Sequence, residues 1–399
     1  APLTTLVTHG SVTLSTMENL VRGLQDVRTA FQTRDLGAGY RAGVDSILSG
    51  SRWFGQADLK IAAPAVEGPE EDFATAWQRY CARNPRLRDP KALPVLMRRG
   101  VPDELRGEVW SHCLGVQVAP VGPGSGCSAQ LRAPDNAASK DNSDLSQTLL
   151  DVIEADVART FPNNKEFQES GGPDHLRQVL IDLAVQDSEL GYCQSLNFIA
   201  ANFLMVLGSP DSALVAVRQL ITKLQTRQWY TDGMKQLRAD TAVLEEMLRE
   251  RLPAVHSILV QHRFDFLFVT SKWFLCLFAA TLADEALRRI WDVLLGDGIE
   301  AVFRISLSLF ALQEKAILSV KSHDDLIHLM QEWQPACSPE VIIQTAYHPS
   351  LAGLLSRKEL DLRRRRAADE IASADTRAEM RITHLKRGGV RPASILARQ

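Results

Sequence analysis

A chain of 399 residues, 45% of them hydrophobic and 23% charged, is long enough for one large domain with extensions. Its net charge of −3 argues against a general nucleic-acid binder, because such a protein carries a strong basic excess. The six cysteines are scattered and no two form a C-x-x-C pair. The sequence therefore predicts no zinc site and indicates a reducing compartment.

Residues 1–75 are predicted to be an extension that carries one short amphipathic helix. Its apolar residues recur at three- and four-residue spacing: Met17, Leu20, Leu24, Val27 and Phe31. We expect this helix to pack on the main domain. The alternative is that it binds a partner or a second copy of the chain, and the sequence leaves the oligomeric state open.

The main body, residues 76–355, has the periodicity of helices and lacks alternating strand patterns, which predicts an all-α fold. Residues 116–143 are rich in Gly, Pro, Ser, Ala and Asn and are predicted to form a mobile loop. The most apolar run, Trp273–Ala283, is shorter than the roughly 18 residues of a bilayer span. We therefore predict a buried core helix there and no transmembrane segment.

The tail, residues 356–399, contains 12 Lys and Arg against 6 Asp and Glu. Its composition favours a basic helix that ends at the Gly388-Gly389 pair. A solvated helix face is the simplest interpretation of this charge. Contact with anionic lipid or with an acidic partner is the alternative.

The next feature is a helix that ends on a polar pair. Ser143 is the predicted N-cap, Ile153 lies on the apolar face, and Pro162 terminates the pattern. Asp156 and Arg159 are three residues apart, so they share a face and can pair. Taken alone, this arrangement has an ordinary explanation, because cationic side chains favour helix C-termini.

A second polar stretch, Tyr192 to Gln194, precedes a strongly apolar helix that begins near Ser195. Gln194 would lie at the start of that helix, and Ser195 is a plausible N-cap. Taken alone, the Gln194 amide would simply cap a backbone group.

The motifs, in order, are Gly100 to Trp110, the Ile153/Asp156/Arg159 set, the Tyr192/Gln194 turn and a later Trp291-Asp292. Together they closely resemble the TBC-domain family of Rab GTPase-activating proteins, over residues 90–315. The resemblance implies a two-lobed all-helical domain that supplies two side chains to a bound GTPase. Arg159 matches the family's arginine finger, and Gln194 matches its glutamine finger.

The resemblance also implies supporting roles. Asp156 would fix the approach of Arg159, Tyr192 would orient the Gln194 turn, and Arg106 and Trp110 would buttress the same site from an adjacent helix. Ile153 belongs to the same helical motif. The sequence departs from the family where Ser195 and Leu196 replace the common Gly and Met, and we expect activity to survive both changes.

Three hypotheses follow: an active GTPase activator, a catalytically silent Rab-binding effector or scaffold, and a helical protein unrelated to GTPases. Both finger positions are present, which favours the first. The chain has no G-x-x-x-x-G-K-[ST] loop of its own, so we expect no cofactor of its own. GTP and Mg²⁺ would arrive with a Rab-family GTPase, and the chain would be an activator in trans rather than an enzyme. We expect a cytoplasmic protein, peripheral on membranes through its lipidated partner; the Rab concerned is not specified.

Overall fold

The computed structural model describes residues 73–84, 86–87, 89–116, 145–332, 337–353 and 355–387. The predicted N-terminal helix, the proposed cap Ser143 and residues 117–144 lie outside these ranges, as does the chain after Arg387. Within them the chain is helical and contains no β-strand, so the predicted all-α fold is confirmed. None of the described helices is both long and apolar enough to cross a membrane.

One set of packed helices comes from residues 73–224. Its members are α1 Phe73–Arg83, α2 Ala92–Arg99, α3 Asp103–Leu114, α4 Gln147–Arg159, α5 Lys165–Glu169, α6 Gly172–Gln186, α7 Leu196–Leu207 and α8 Pro210–Leu224. Helix α7 packs against α6 and α8, and α4 packs against α6. Nearly every residue of α7 is buried, as its sequence, apolar except for Asn197 and Asn202, requires.

The second set follows in the chain. Its members are α9 Arg227–Tyr230, α10 Lys235–Arg251, α11 Pro253–Gln261, α12 Leu267–Trp273, α13 Asp284–Asp297, α14 Ile299–Leu312, α15 Glu314–Ser319, α16 His323–Gln331, α17 Pro339–Ala346 and α18 Arg357–Arg387. Helix α10 packs against α18, and α14 packs against α17. Helix α3 contacts α13 as well as α7 and α8, so it joins the two sets around one continuous hydrophobic core.

The apolar run Trp273–Ala283 is buried as predicted except at Ala283, which is exposed, but the prediction that it is a helix was wrong. Helix α12 ends at the first residue of the run, and Leu277 and Phe278 then adopt left-handed backbone conformations with φ of 45° and 67°. The Leu277 carbonyl accepts a hydrogen bond from Trp291 Nε1 at 2.9 Å. Contacts with neighbouring helices therefore satisfy a backbone that periodicity alone assigns to a helix.

Helix α18 is the predicted basic helix and is described from Arg357 to Arg387; the predicted stop at the Gly388-Gly389 pair lies outside the described residues. Three of the four arginines in the run 363–366 bind carboxylates of α10: Arg363 to Glu246 and Glu250, Arg364 to Asp240, and Arg366 to Glu246. This stretch therefore packs on the domain, where the sequence predicted a solvated helix face.

Candidate functional site

Helix α4 carries Arg159 as its last residue, as the sequence predicted. Its N-cap is Ser146, not Ser143, because the Ser146 hydroxyl accepts a hydrogen bond from the backbone of Leu149 at 3.3 Å. At the other end, the Thr160 hydroxyl donates to the Asp156 carbonyl at 2.6 Å. The helix therefore stops with Arg159 at its edge, where the side chain is 20% exposed.

The turn that carries Gln194 connects α6 to α7. Ser195, the residue after Gln194, has a φ of 105°, which is a conformation that favours glycine. Ser195 makes no side-chain capping hydrogen bond, so its predicted role as an N-cap was wrong. The Asn197 side chain binds this turn instead, since its Oδ1 accepts a hydrogen bond from the Ser195 backbone N–H at 3.1 Å.

Asn197 and Thr160 tie the two polar stretches together, and sequence analysis missed both. Asn197 Nδ2 donates to the Thr160 hydroxyl at 2.7 Å, which joins the end of α4 to the first turn of α7. Both side chains are fully buried. The available signal was the asparagine itself, one of only two polar residues in α7.

Asp156 is the centre of the cluster, and its carboxylate is almost completely buried. Its Oδ1 pairs with Arg159 Nη2 at 2.7 Å, and its Oδ2 accepts a hydrogen bond from the Tyr192 hydroxyl. Gln194 contacts the same cluster, because its Nε2 lies 3.3 Å from Asp156 Oδ1. The structure thus brings together four of the predicted site residues from two separate stretches of sequence.

The Gln194 amide has two possible orientations. Rotated by 180°, its oxygen accepts hydrogen bonds from Nη1 of Arg159 at 3.0 Å and also from Nη2. This orientation directs the amide oxygen, rather than its NH₂ group, at a guanidinium that can only donate. The two predicted fingers then contact each other, and the hydrogen bond from Gln194 to Asp156 is replaced by the one from Arg159 to Gln194.

Burial sets the electrostatics of this cluster. It raises the pKa of Asp156, although the Tyr192 hydrogen bond and the Arg159 charge oppose the shift. Burial, reinforced by the Asp156 charge, also holds the pKa of Tyr192 well above its usual range, so the phenol remains a proton donor. Arg159 Nε is buried without a hydrogen-bond partner, while the outer nitrogens carry the contacts.

Arg106 and Trp110 do not contact this cluster directly, which corrects their predicted role. Both donate to Asp292 Oδ1, Arg106 from Nε at 3.2 Å and Trp110 from Nε1 at 2.8 Å. Trp110 also packs edge-on against Phe203 of α7. These two residues therefore join α3 to α13 and support the Gln194 turn only through the helix that follows it.

Ile153, the remaining predicted residue, is fully buried on the inner face of α4. It cannot contact a partner in this conformation. Its contribution is to hold the helix that ends at Arg159 against the core. Within the described residues, no group of three metal-ligating side chains is present.

The described residues thus place an arginine, a glutamine and a buried carboxylate together at the edge of an all-helical domain. The chain matches the family model described as Rab-GTPase-TBC domain over residues 103–318, which are 216 of its 399 residues. The protein therefore belongs to the Rab-GTPase-TBC domain family.

Relatives agree with this assignment. Mouse TBC1 domain family member 2A is 32% identical over 291 residues, which are 72% of this chain and 30% of the relative. The chain thus spans less than a third of that protein. Growth hormone-regulated TBC protein 1 of Xenopus laevis is 29% identical over 262 residues, 65% of this chain and 74% of the relative.

Solved structures share the fold. The RabGAP TBC domain of a Chlamydomonas flagellar protein superposes with a TM-score of 0.54 at 22% identity, over 69% of this chain and 90% of that one. The Ypt/Rab-GAP domain of Gyp1p gives a TM-score of 0.53 at 16% identity, over 68% of this chain and 97% of that domain. At these identities the likeness establishes the helical architecture.

Proposed function

We propose that this protein stimulates GTP hydrolysis by a Rab-family GTPase in its GTP form, with Arg159 and Gln194 inserted into the partner's nucleotide site. Membership of the family supports an activating role on a Rab partner. The observation that carries the residue assignment is that buried Asp156 pairs with Arg159 while the Gln194 amide lies against the same guanidinium.

The residue types suit this chemistry. Phosphoryl transfer places charge on the transferring group, and a guanidinium supplies a permanent positive charge with several fixed donors. Such an arginine is worth roughly 10³ to 10⁵ in rate, or about 4 to 7 kcal/mol. A neutral amide both donates and accepts, so Gln194 can orient water without taking its proton.

Asp156 would preorganise the pair. It holds Arg159 at the edge of α4 through Nη2 and leaves the side chain partly exposed. Gln194 would exchange its contact with Arg159 for the attacking water when the GTPase docks. GTP and Mg²⁺ belong to the partner in this proposal, so the chain is an activator and not a complete enzyme. Membrane contact would be peripheral, through the lipidated GTPase.

The test is single-turnover GTP hydrolysis by a panel of purified Rabs with the wild-type protein, Arg159→Ala, Arg159→Lys and Gln194→Ala. We expect acceleration of one or a few Rabs and a loss of roughly 10³-fold or more in Arg159→Ala. Arg159→Lys should also fail, because it keeps the charge but loses the fork. Binding of the GTP form without acceleration of any Rab would leave a silent effector or scaffold instead.

A further inference from the structure

The loop between α6 and α7, residues 187–195, is held at both ends, and we call it the finger loop. Its last residues contact Asp156 as described above. Its first residue, Asp187, folds the chain back on itself: Asp187 Oδ1 accepts from Leu190 N at 3.1 Å, and the Asp187 carbonyl accepts from Gly191 N at 2.7 Å. Gly191 has a φ of 60°, so the chain turns sharply between the two ends.

Arg227 binds the Asp187 end of the finger loop through three charge-assisted hydrogen bonds. Its Nη1 donates to Asp187 Oδ2 at 2.7 Å, and its Nη2 donates to Asp187 Oδ1 at 2.6 Å. The same Nη2 reaches Glu189 Oε2 at 2.7 Å. These hydrogen bonds lower the pKa of Asp187 to about 2. A bidentate pair of this kind fixes direction as well as distance.

The backbone that carries Arg227 is held in place, because Trp229 and Tyr230 of α9 are packed in the core. Trp229 is fully buried, donates from Nε1 to Asp240 Oδ2 at 2.7 Å and stacks on Phe274 with ring centroids 5.1 Å apart. The Tyr230 hydroxyl donates to a buried carbonyl at 3.1 Å. Arg227 therefore connects the finger loop to a fixed point of the second helix set.

We propose that Arg227 is a positioning residue that sets the approach of Gln194 through Asp187 and Glu189. This inference rests on the proposed function, since Gln194 is the group being positioned. An ordinary exposed ion pair would contribute little to stability, about 0 to 1 kcal/mol, and Arg227 is 40% exposed. Its effect should therefore be seen in the rate of hydrolysis rather than in the unfolding of the protein.

The decisive experiment compares Arg227→Ala in the wild-type and Gln194→Ala backgrounds by single-turnover hydrolysis. In the wild-type background we expect the maximal rate to fall about tenfold or more, with the half-saturating concentration of the activator unchanged. In the Gln194→Ala background we expect no further loss, because there is no amide left to position. Equal loss in both backgrounds would overturn the proposal.

Three further variants sharpen the result. Arg227→Lys keeps the charge without the fork and should restore only part of the rate. Asp187→Asn should resemble Arg227→Ala, and the two together should be no worse than either alone. Arg218→Ala is the matched control, because Arg218 is an exposed arginine of α8 that donates to Gln186 Oε1 at 3.4 Å and acts on Asp187 only through its charge, without a hydrogen bond, so its loss should change the rate far less than the loss of Arg227.

A second measurement separates this proposal from the proposed function. Hydrogen exchange at the Leu190 and Gly191 amides needs no GTPase, and Arg227→Ala should accelerate it while Arg218→Ala should not. If the wild-type protein activates no Rab, this exchange decides the matter: acceleration supports positioning of the loop, and no change overturns it. A rise in the half-saturating concentration alone would make Arg227 a partner contact and would also overturn the proposal.

Discussion

Asp156 is the residue whose surroundings most shape the account of the site. It is almost completely buried, yet it binds the guanidinium of Arg159 and accepts a hydrogen bond from Tyr192. A buried carboxylate without such partners would be protonated or excluded, so its charge depends on the two side chains it orients. The position of the proposed arginine finger therefore depends on Asp156 being ionised.

This dependence predicts an acid limb in the activating rate. Because burial raises the pKa of Asp156, the group takes up a proton at a higher pH than an exposed aspartate does. A carboxyl whose pKa is raised on folding is stabilised in its protonated form, so this protonation does not itself unfold the protein. It does weaken the hold on Arg159, and we expect the rate to fall on acidification before exposed aspartates titrate.

The comparison is Asp156→Asn, which mimics the protonated group. We expect its rate to be about 10- to 100-fold lower near neutral pH and the acid limb to disappear. Single-turnover hydrolysis across a pH series measures both, with the GTPase's intrinsic rate in each buffer as the control. An unchanged acid limb in Asp156→Asn would place the titrating group elsewhere.

Ser195 is a residue whose replacement should stabilise the protein. A side chain at φ 105° is strained, and such positions cost of order 1 to 3 kcal/mol. We expect Ser195→Gly to raise the free energy of unfolding by about 1 kcal/mol and to keep full activating rate. Urea denaturation measures the change. Ser209→Gly is the matched control, because that serine caps α8 with its hydroxyl, and its loss should cost a few tenths of a kcal/mol.

At the residue scale, sequence reasoning succeeded where spacing along one helix decides the contact. The pair Asp156 and Arg159 follows from three-residue spacing, and the structure has it as an ion pair. It failed where the partner is distant in sequence. Arg106 and Trp110 bind Asp292, about 180 residues away, and no local pattern indicates which polar group they meet.

Among the helices, α3 and α13 hold the two helix sets together through that buried polar contact. Removing Asp292 would leave the buried Trp110 indole N–H and the Val101 amide without their acceptor, and it would remove the buried carboxylate that binds Arg106. We expect Asp292→Ala to lower the free energy of unfolding by about 3 to 5 kcal/mol. Urea unfolding followed by circular dichroism measures this loss.

The control for this prediction is an exposed ion pair of α4 and α6. Glu154 binds Arg177 at the surface, and its replacement by alanine should cost less than about 1 kcal/mol. A similar small loss in Asp292→Ala would mean that the contact between α3 and α13 contributes little, and the resemblance motif around Trp110 would need another explanation.

The same lesson appears in α12 and the segment after it. The continuous apolar run of residues 273–283 predicts burial, which is right for all but Ala283, but burial does not specify helix. Two left-handed residues and a carbonyl taken by Trp291 break the helix, and these are tertiary contacts. The all-α class, by contrast, rests on many long periodic segments, and so it was predictable.

For the whole molecule, α18 is the unexpected component. It lies beyond residues 103–318 of the family match, yet Arg364 is buried against Asp240 with contacts of 2.8 and 2.9 Å. The sequence does not indicate which carboxylates an arginine run will bind, because that depends on the fold, which here brings α10 next to α18. The helix is therefore integral to the domain that carries the proposed site.

Neighbouring arginines of α18 provide a matched test. Arg364→Ala should lower the free energy of unfolding by about 3 to 5 kcal/mol, because it leaves the buried Asp240 carboxylate without its cation. Arg365 is exposed, and Arg365→Ala should stay within about 0.5 kcal/mol of the wild type. Urea denaturation distinguishes them. Equal stability of the two variants would contradict an integral role for α18.

In the proposed mechanism this chain supplies both the arginine and the glutamine to its partner. The most direct measurement uses a responsive Rab whose own water-positioning glutamine has been replaced by leucine, in single-turnover hydrolysis. We predict that the wild-type protein still accelerates this Rab substantially and that Gln194→Ala abolishes the acceleration. Loss of all acceleration on the leucine variant, together with full activity of Gln194→Ala on the normal Rab, would contradict the account.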